Sequence, residues 1–586
     1  MTLHQAFPSQ EDANLLYKSC KGIPLYCYQM NTRPYNKIKS EGIKLGKDSP
    51  EFLGPDTHPV LLARQMLIFA SLIQESHTQH LEGLSESPET IKKRLADTAI
   101  NMVTTNEELH GTTEGIECIV LEAVFQLYSG NLRRAWLAFR RALTVGQLMG
   151  INRLHGPPLQ RIDSNTKINL QFMWFRIVYM DRTLSMMLGF PQGTTDKSMT
   201  SDSTMAGDTQ MGKLVRSHAV IAARILELRD SDPCIQNPAP FQEVDMDLLK
   251  LANSQPPKFW LPPKSIRMEI GSEPYFWESV RVTNQLVHYN LVCQLHLSSL
   301  LRSDENQKYT CRYSKMACIN ASREALTRCI TYSGFSDVGG CCWIFAIPAS
   351  MTLILAHIDS HRPQDFDHVL AHQRMGDRGM IEKILEGMEI LKRANGDASS
   401  EKGENVLQWL LGIEAEVANG QKYSARSVNE QEGFQEDDNA MRISIPYFGI
   451  VKFTHEGRIS KESPQTRWLN EQDDKFNDTG LTPSAPLDSL NNVSNISGLP
   501  FDPVGIDMGQ VPQASAHTLP HPIDQQHLAA QYPNASNHLD TQQQYSYPGL
   551  TAGIEDWAFQ GVDNAFLDNL MMGTRHRDDG TNWLPD

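Results

Sequence analysis

The chain has 586 residues, the length of three or four ordinary domains, so a single packed core cannot account for it. Its 53 Lys and Arg against 69 Asp and Glu leave a net charge of −16, which argues against a chain that holds nucleic acid by neutralising phosphates. Ten cysteines are spread thinly, without the dense framework of a small secreted domain, and Met1 to Tyr17 lacks the basic flank and apolar run of a signal peptide, so the thiols read as reduced and intracellular.

Helical patterning begins near Thr57, where Val60, Leu61, Leu62, Met66, Leu67, Ala70 and Ile73 recur at three- and four-residue intervals. Ser87-Pro88-Glu89 supplies an N-cap and a first-turn proline for a second helix through Ile91, Leu95, Ile100 and Val103. A third runs over 114–129 and ends at Gly130, a residue free to adopt the left-handed turn that closes a helix. Asn131 then suits an N-cap, and Leu132, Ala135, Trp136, Phe139, Ala142, Leu143 and Gly146 trace one face as far as Gly150. Arg133, Arg134, Arg140 and Arg141 fall off that stripe and read as a solvated face paired with neighbouring acids rather than as a DNA-contacting surface. After a Gly-Pro-Pro turn, residues 168–188 form a long helix with Leu170, Met173, Trp174, Ile177, Leu184 and Leu188 on its buried side. Asp181 lies in line with them, and a carboxylate there needs a partner such as an arginine; a structural ion pair is the plain reading and a ligand-sensing acid the sharper one. Gly189-Phe190-Pro191 stops the helix.

Further helices fit 214–228, 276–301, 313–332, 341–358, 380–394 and 404–418. Between the first two, the Pro-rich stretch from Pro256 to Pro263 reads as a loop clamped by Phe259 and Trp260. Val338 to Ile358 carries no Asp, Glu, Lys or Arg and is nearly long enough to cross a bilayer, but Gly339, Gly340, Pro348 and His357 and the lack of basic flanks favour a buried core helix. His288, Cys293 and His296 share a helix at spacings that do not bring three ligands to one face, so no metal site is expected there. No nucleophile elbow, zinc-protease pair, phosphate loop or dinucleotide fingerprint occurs, and no enzyme activity is expected. The predicted fold class is all-α: a multi-helix regulatory domain over 57–419 between a short N-terminal segment, 1–56, and a long tail.

Residues 420–586 are of a different material, rich in Gln, Asn, Ser and Pro, and read as a disordered acidic tail. From Phe476 onward thirteen acids face only Arg575 and Arg577, so most of the chain's negative charge belongs to this end. Within 553–573, acids interleave with Trp557, Phe559, Phe566, Leu567 and Leu570, the composition of an activation segment that folds on meeting a hydrophobic groove. A helix that docks back onto the chain's own helical part is the alternative.

One set of residues carries a family resemblance. Tyr128-Ser129-Gly130-Asn131-Leu132-Arg133-Arg134-Ala135-Trp136, then Leu148-Met149-Gly150-Ile151-Asn152-Arg153, then Met173-Trp174-Phe175-Arg176, Asp181-Arg182, Ser185 and Gly189-Phe190-Pro191 together resemble the regulatory domain of fungal zinc-cluster transcription factors. The resemblance covers 60–190 well and the helical remainder more loosely. It implies that Gly130, Arg134, Ala135, Trp136, Gly150, Trp174, Asp181, Arg182, Gly189 and Pro191 are family-motif positions of structural importance. It also implies a nuclear regulator of metabolic or secondary-metabolite genes with a small-molecule effector as one partner and coactivator machinery as another. The family's DNA-binding module needs six cysteines in two halves to hold a zinc pair. Here Cys20 and Cys27 show the spacing of half of one such half, with Tyr17 where another ligand would stand, so zinc is not supported by this chain. The expectation is therefore an activator recruited by a DNA-bound partner, a zinc-cluster homologue being one candidate, without direct DNA binding or membrane association of its own. The alternative is a ligand-sensing or inhibitory partner of a full-length family member.

Overall fold

The computed structural model describes residues 3–19, 26–43, 52–75, 81–153, 159–229, 239–263, 272–297, 300, 308–333, 343–360, 368–395, 398–419, 424–427, 440–445, 449–454 and 458–462. Three helices, α1 (Gln10–Ser19), α2 (Tyr26–Thr32) and α3 (Tyr35–Glu41), precede residue 57. They are short: Leu16 and Ala13 of α1 enter one hydrophobic core, Tyr35 and Ile38 of α3 another, and α2 is tied in by Tyr28 to Glu117 and by Asn31 to Arg176. Next come α4 (Pro59–Glu75) and α5 (Pro88–Ala99), the latter started as expected, with Ser87 Oγ accepting from the Thr90 amide at 3.1 Å and Pro88 in the first turn, where no amide is needed. A π-turn over Ile100–Thr104 ends it.

Helix α6 (Thr113–Tyr128) is buried almost all round, because it serves both cores. Its Cys118, Leu121 and Phe125 pack with α1, α4 and α5 in the smaller core, and Ile116, Ile119, Val120 and Ala123 face the larger one. That larger core is built by α7 (Leu132–Leu148), α8 (Leu170–Leu188), α10 (Gln210–Arg229), α11 (Ala239–Asn253), α12 (Glu273–His296), α13 (Lys308–Ser333), α14 (Trp343–Ser360), α15 (His368–Asn395) and α16 (Ala398–Ala418), with the short α9 (Asp202–Ala206) between α8 and α10. The helical part is all-α, as its periodicity indicates.

Helix α11 lies in what reads from sequence as irregular connection. Pro240 sits in its first turn, where a proline is tolerated, and Val244 and Leu248 supply the buried face. The Pro-rich stretch that follows is clamped as expected and more thoroughly. Phe259 is buried, Arg281 donates to the Phe259 carbonyl at 2.7 Å and to that of Leu261 at 2.5 Å, and Arg328 donates to the Trp260 carbonyl at 2.6 Å. Pro348 lies inside α14, and the Thr352 hydroxyl donates to its carbonyl at 2.8 Å. No described helix is long and apolar enough to cross a membrane.

Four short strands lie in the stretch read as tail: β1 (Ser424–Ser427), β2 (Ala440–Ile445), β3 (Gly449–Thr454) and β4 (Arg458–Glu462), in the order β1-β4-β3-β2. β2 pairs antiparallel with β3 in the register Ile443↔Val451, β3 with β4 as Val451↔Lys461, and β1 runs parallel to β4. The alternation in Met441-Arg442-Ile443-Ser444-Ile445 is the local signal for this sheet. Averaging composition over 420–586 erased it.

Candidate functional site

Most of the positions singled out by the resemblance gather where α7 packs against α8 and at the connection that leaves α8; Arg134, directed toward Asp97 and Glu122, and Gly130, at the close of α6, lie apart from it. Gly146 permits the close approach: a Cβ there would lie 3.0 Å from Ile151 Cδ1 and 3.2 Å from Trp174 Cε3. Gly189, at φ 75°, takes the left-handed turn that closes α8, and Gly130 and Gly150 do the same after α6 and α7. Asn131 stands at the N-cap position of α7 as expected, its carbonyl accepting from the Ala135 amide at 2.9 Å, but its side chain makes no cap bond. Its side-chain amide instead donates to Gln126 Oε1 at 2.8 Å, back onto α6.

Asp181 is buried within this packing and has the arginine partner its position demands, Arg140 of α7, while its other oxygen accepts from the Gly193 amide at 2.8 Å. Burial pushes the Asp181 carboxyl up, and the Arg140 charge and the Gly193 amide offset only part of this, so it stays above the ordinary range. Arg140 also donates to the Pro191 carbonyl and lies 4.7 Å over the Trp136 ring. The Trp136 indole donates to Ser185 Oγ at 2.9 Å and packs 4.7 Å from Phe190, and Ser185 donates to the Pro191 carbonyl at 3.1 Å. Arg182, equally buried, donates to the carbonyls of Ala219 at 3.0 Å, Thr194 at 3.2 Å and Asp196 at 2.5 Å, and the Trp174 indole donates to Asp196 Oδ2 at 2.8 Å. The outcome is a clamp that fixes the 190–196 connection to α7 and α8 and ties it, through Ala219, to α10. Both Asp181 oxygens are engaged internally, so the carboxylate presents no open position to a ligand.

Two of the four arginines of α7 pair with neighbouring acids as expected, and all four are half-buried rather than on a solvated face. Arg140 pairs with Asp181, Arg141 with buried Glu122 at 2.9 Å, Arg133 lies 5.8 Å over Phe190, and Arg134 carries its charge toward Asp97 and Glu122. The outward positions are instead Leu137, Thr144, Gln147 and Leu148, the last 83% exposed. Ala135 is buried on the opposite side. What sequence reasoning missed is the acceptor side of this network, three buried glutamates on α6. Glu117 meets Arg64 at 2.8 Å and the Tyr28 hydroxyl at 2.7 Å, Glu114 accepts the amides of Ile162 and Asp163 at 3.0 and 3.1 Å, and Glu122 takes Arg141. Acids inside an otherwise apolar helix were the available signal.

His288, Cys293 and His296 go to three separate neighbourhoods, as their spacing indicates. His288 Nδ1 lies 3.4 Å from His218 Nε2, Cys293 Sγ 3.4 Å from Cys318 Sγ, and His296 between Asp245 and Ser314 at 3.2 and 3.1 Å. Among the described residues no three His, Cys, Asp or Glu side chains gather as metal ligands. Cys118, Cys293, Cys318 and Cys329 are each buried between helices. Trp557, Phe559, Phe566, Leu567 and Leu570 lie outside the described residues.

Sequence comparison says what kind of protein carries this clamp. The chain is 34% identical to the dehydrocurvularin biosynthesis regulator of Alternaria cinerariae and 35% identical to that of Aspergillus terreus, in each case over 97% of this chain and 80% of the relative. It is 32% identical to the protein named "Probable transcription factor gsfR1" of Penicillium aethiopicum, over 97% of this chain and 82% of that one. The chain belongs to this family of fungal pathway-specific transcription factors. No family model and no solved structure matches it.

Proposed function

We propose that the chain activates the genes of a secondary-metabolite pathway in the nucleus, through the segment 553–573, and reaches promoters by pairing with a DNA-bound partner, without enzymatic activity of its own. The observation that carries this is similarity along 97% of the chain to two proteins named as biosynthesis regulators, joined to an acidic, aromatic C-terminal segment. Recruitment by a partner is favoured by the net charge of −16 and by a cysteine set whose described members are buried in helix packing. The helical part would then serve as the partner-facing scaffold, and the acids of the tail keep Trp557, Phe559, Phe566 and Leu567 available to coactivators.

A reporter assay with residues 420–586 joined to an unrelated DNA-binding domain tests the reading. Activity is expected, and it should fall to background when Trp557, Phe559, Phe566 and Leu567 are all changed to Ala. Silence of the unaltered tail would overturn it and favour an inhibitory partner working through the helical part.

A further inference from the structure

We propose that the groove between α10 and α11 is a docking surface for the chain's own acidic segment 558–572. The groove encloses about 770 Å³ between Leu214, Val220 and Ile221 of α10 and Leu251 of α11, with Met205 at one end. A second depression of about 510 Å³ shares Arg224, Asp247 and Lys250 with it and continues along α11 to Ala239. The trough therefore follows α11, whose 15 residues span about 22 Å.

Charge names the occupant. In a chain of net charge −16, the trough is lined by three cations, Lys213, Arg224 and Lys250, against two acids, Asp247 and, in the second depression, Glu243. Arg224 is paired with both Asp247 and Glu243 and Lys250 with Asp247, but Lys213 is exposed and makes no ion pair among the described residues, so it is the cation open to an acid of the segment. A cationic trough with apolar walls suits an acidic amphipathic helix, and 558–572 has the matching pattern. As a helix of about 22 Å it would align Phe559, Phe566 and Leu570 at i, i+7 and i+11, with Asp563 at i+4 inside the same stripe. An acid in an apolar stripe is costly against an apolar partner and favourable against one that places Lys213 and Arg224 among its apolar walls. The tether does not limit this: the 95 residues between Glu462 and Ala558 can extend about 310 Å. Docking is separable from activation, since the groove can hold the segment whether or not the segment recruits coactivators.

The test uses the full chain with a benzoylphenylalanine photo-crosslinker in place of Phe566. After irradiation and digestion, mass spectrometry should find crosslinks within one chain to peptides from 205–255. Lys213→Glu with Lys250→Glu should lower their yield about tenfold, and adding Asp563→Lys with Asp568→Lys should restore it. Should the groove variant lose its helical circular dichroism, the tail variant alone, which leaves the groove intact, must show the same loss. Crosslinks elsewhere in the chain, crosslinks between two chains, absent crosslinks, or a yield indifferent to charge reversal would each overturn the proposal.

Discussion

Asp181 shows how a single side chain can be expensive and indispensable together. Its carboxylate is taken from water and repaid by Arg140 and the Gly193 amide, so removing one member leaves the other stranded. Asp181→Ala is expected to cost about 3–5 kcal/mol in urea unfolding of the full chain, while Asp181→Leu with Arg140→Met should recover most of that. The buried histidine pair makes a second expectation. Burial pushes His288 down to about 4, and burial with the neighbouring His288 pushes His218 well below its ordinary value. Both imidazoles are thus neutral when folded, while the unfolded chain takes up protons near 6.5. Their contribution is fully present above that pH and is lost as pH falls from about 6.5 toward about 4. The urea midpoint should decline through this window, and His288→Gln should make the decline shallower.

At the scale of elements, the α7–α8 contact depends on an absent side chain. Gly146→Leu would drive a branched group into Ile151 and Trp174, and overpacking of this kind is expected to cost about 1–3 kcal/mol and to loosen the connection held by Asp181 and Arg182. A fall in the thermal midpoint, with a changed tryptophan fluorescence from Trp174, would register it. Much of this element was legible beforehand: the stripe from Leu132 to Gly146, the stop at Gly189, and the need of Asp181 for an arginine all follow from period and desolvation. Which arginine answers Asp181 was not legible, because Arg133, Arg134, Arg140 and Arg141 are equivalent until α8 and its following connection are placed beside them. Helix α11 was hidden because Pro240 marks a helix start and a loop equally well. The strands at 440–454 were hidden because five alternating residues weigh little against a polar background.

Taken whole, the described helices hold two hydrophobic cores that share α6. Ile119→Ala on one side and Leu121→Ala on the other should each destabilise by about 2–5 kcal/mol and displace the same calorimetric transition, since neither core can lose α6 alone. Two separate transitions, each moved by one substitution, would contradict this. Sequence supplied the all-α class and the regulator's family by resemblance, and the comparisons agree. It could not supply the division into cores, because the apolar residues of α6 run round the helix between its acids, and a helix that serves two neighbours looks the same as one that serves a single large one.

The shared helix also has a consequence during synthesis. Every fully buried apolar residue of the smaller core lies between Ala6 and Phe125, so that core can close, but for Ile162 at its edge, as soon as α6 leaves the ribosome. The face of α6 that carries Ile116, Ile119, Val120 and Ala123 is met by α7, but the larger core they enter still awaits partners as far as α16, ending at Ala418. At about 5–20 residues per second, the last of those partners emerges roughly 15–60 s after α6. For that interval the nascent protein displays a long greasy surface on an already folded base, which makes it a client for chaperones that hold growing chains and a hazard wherever they are scarce.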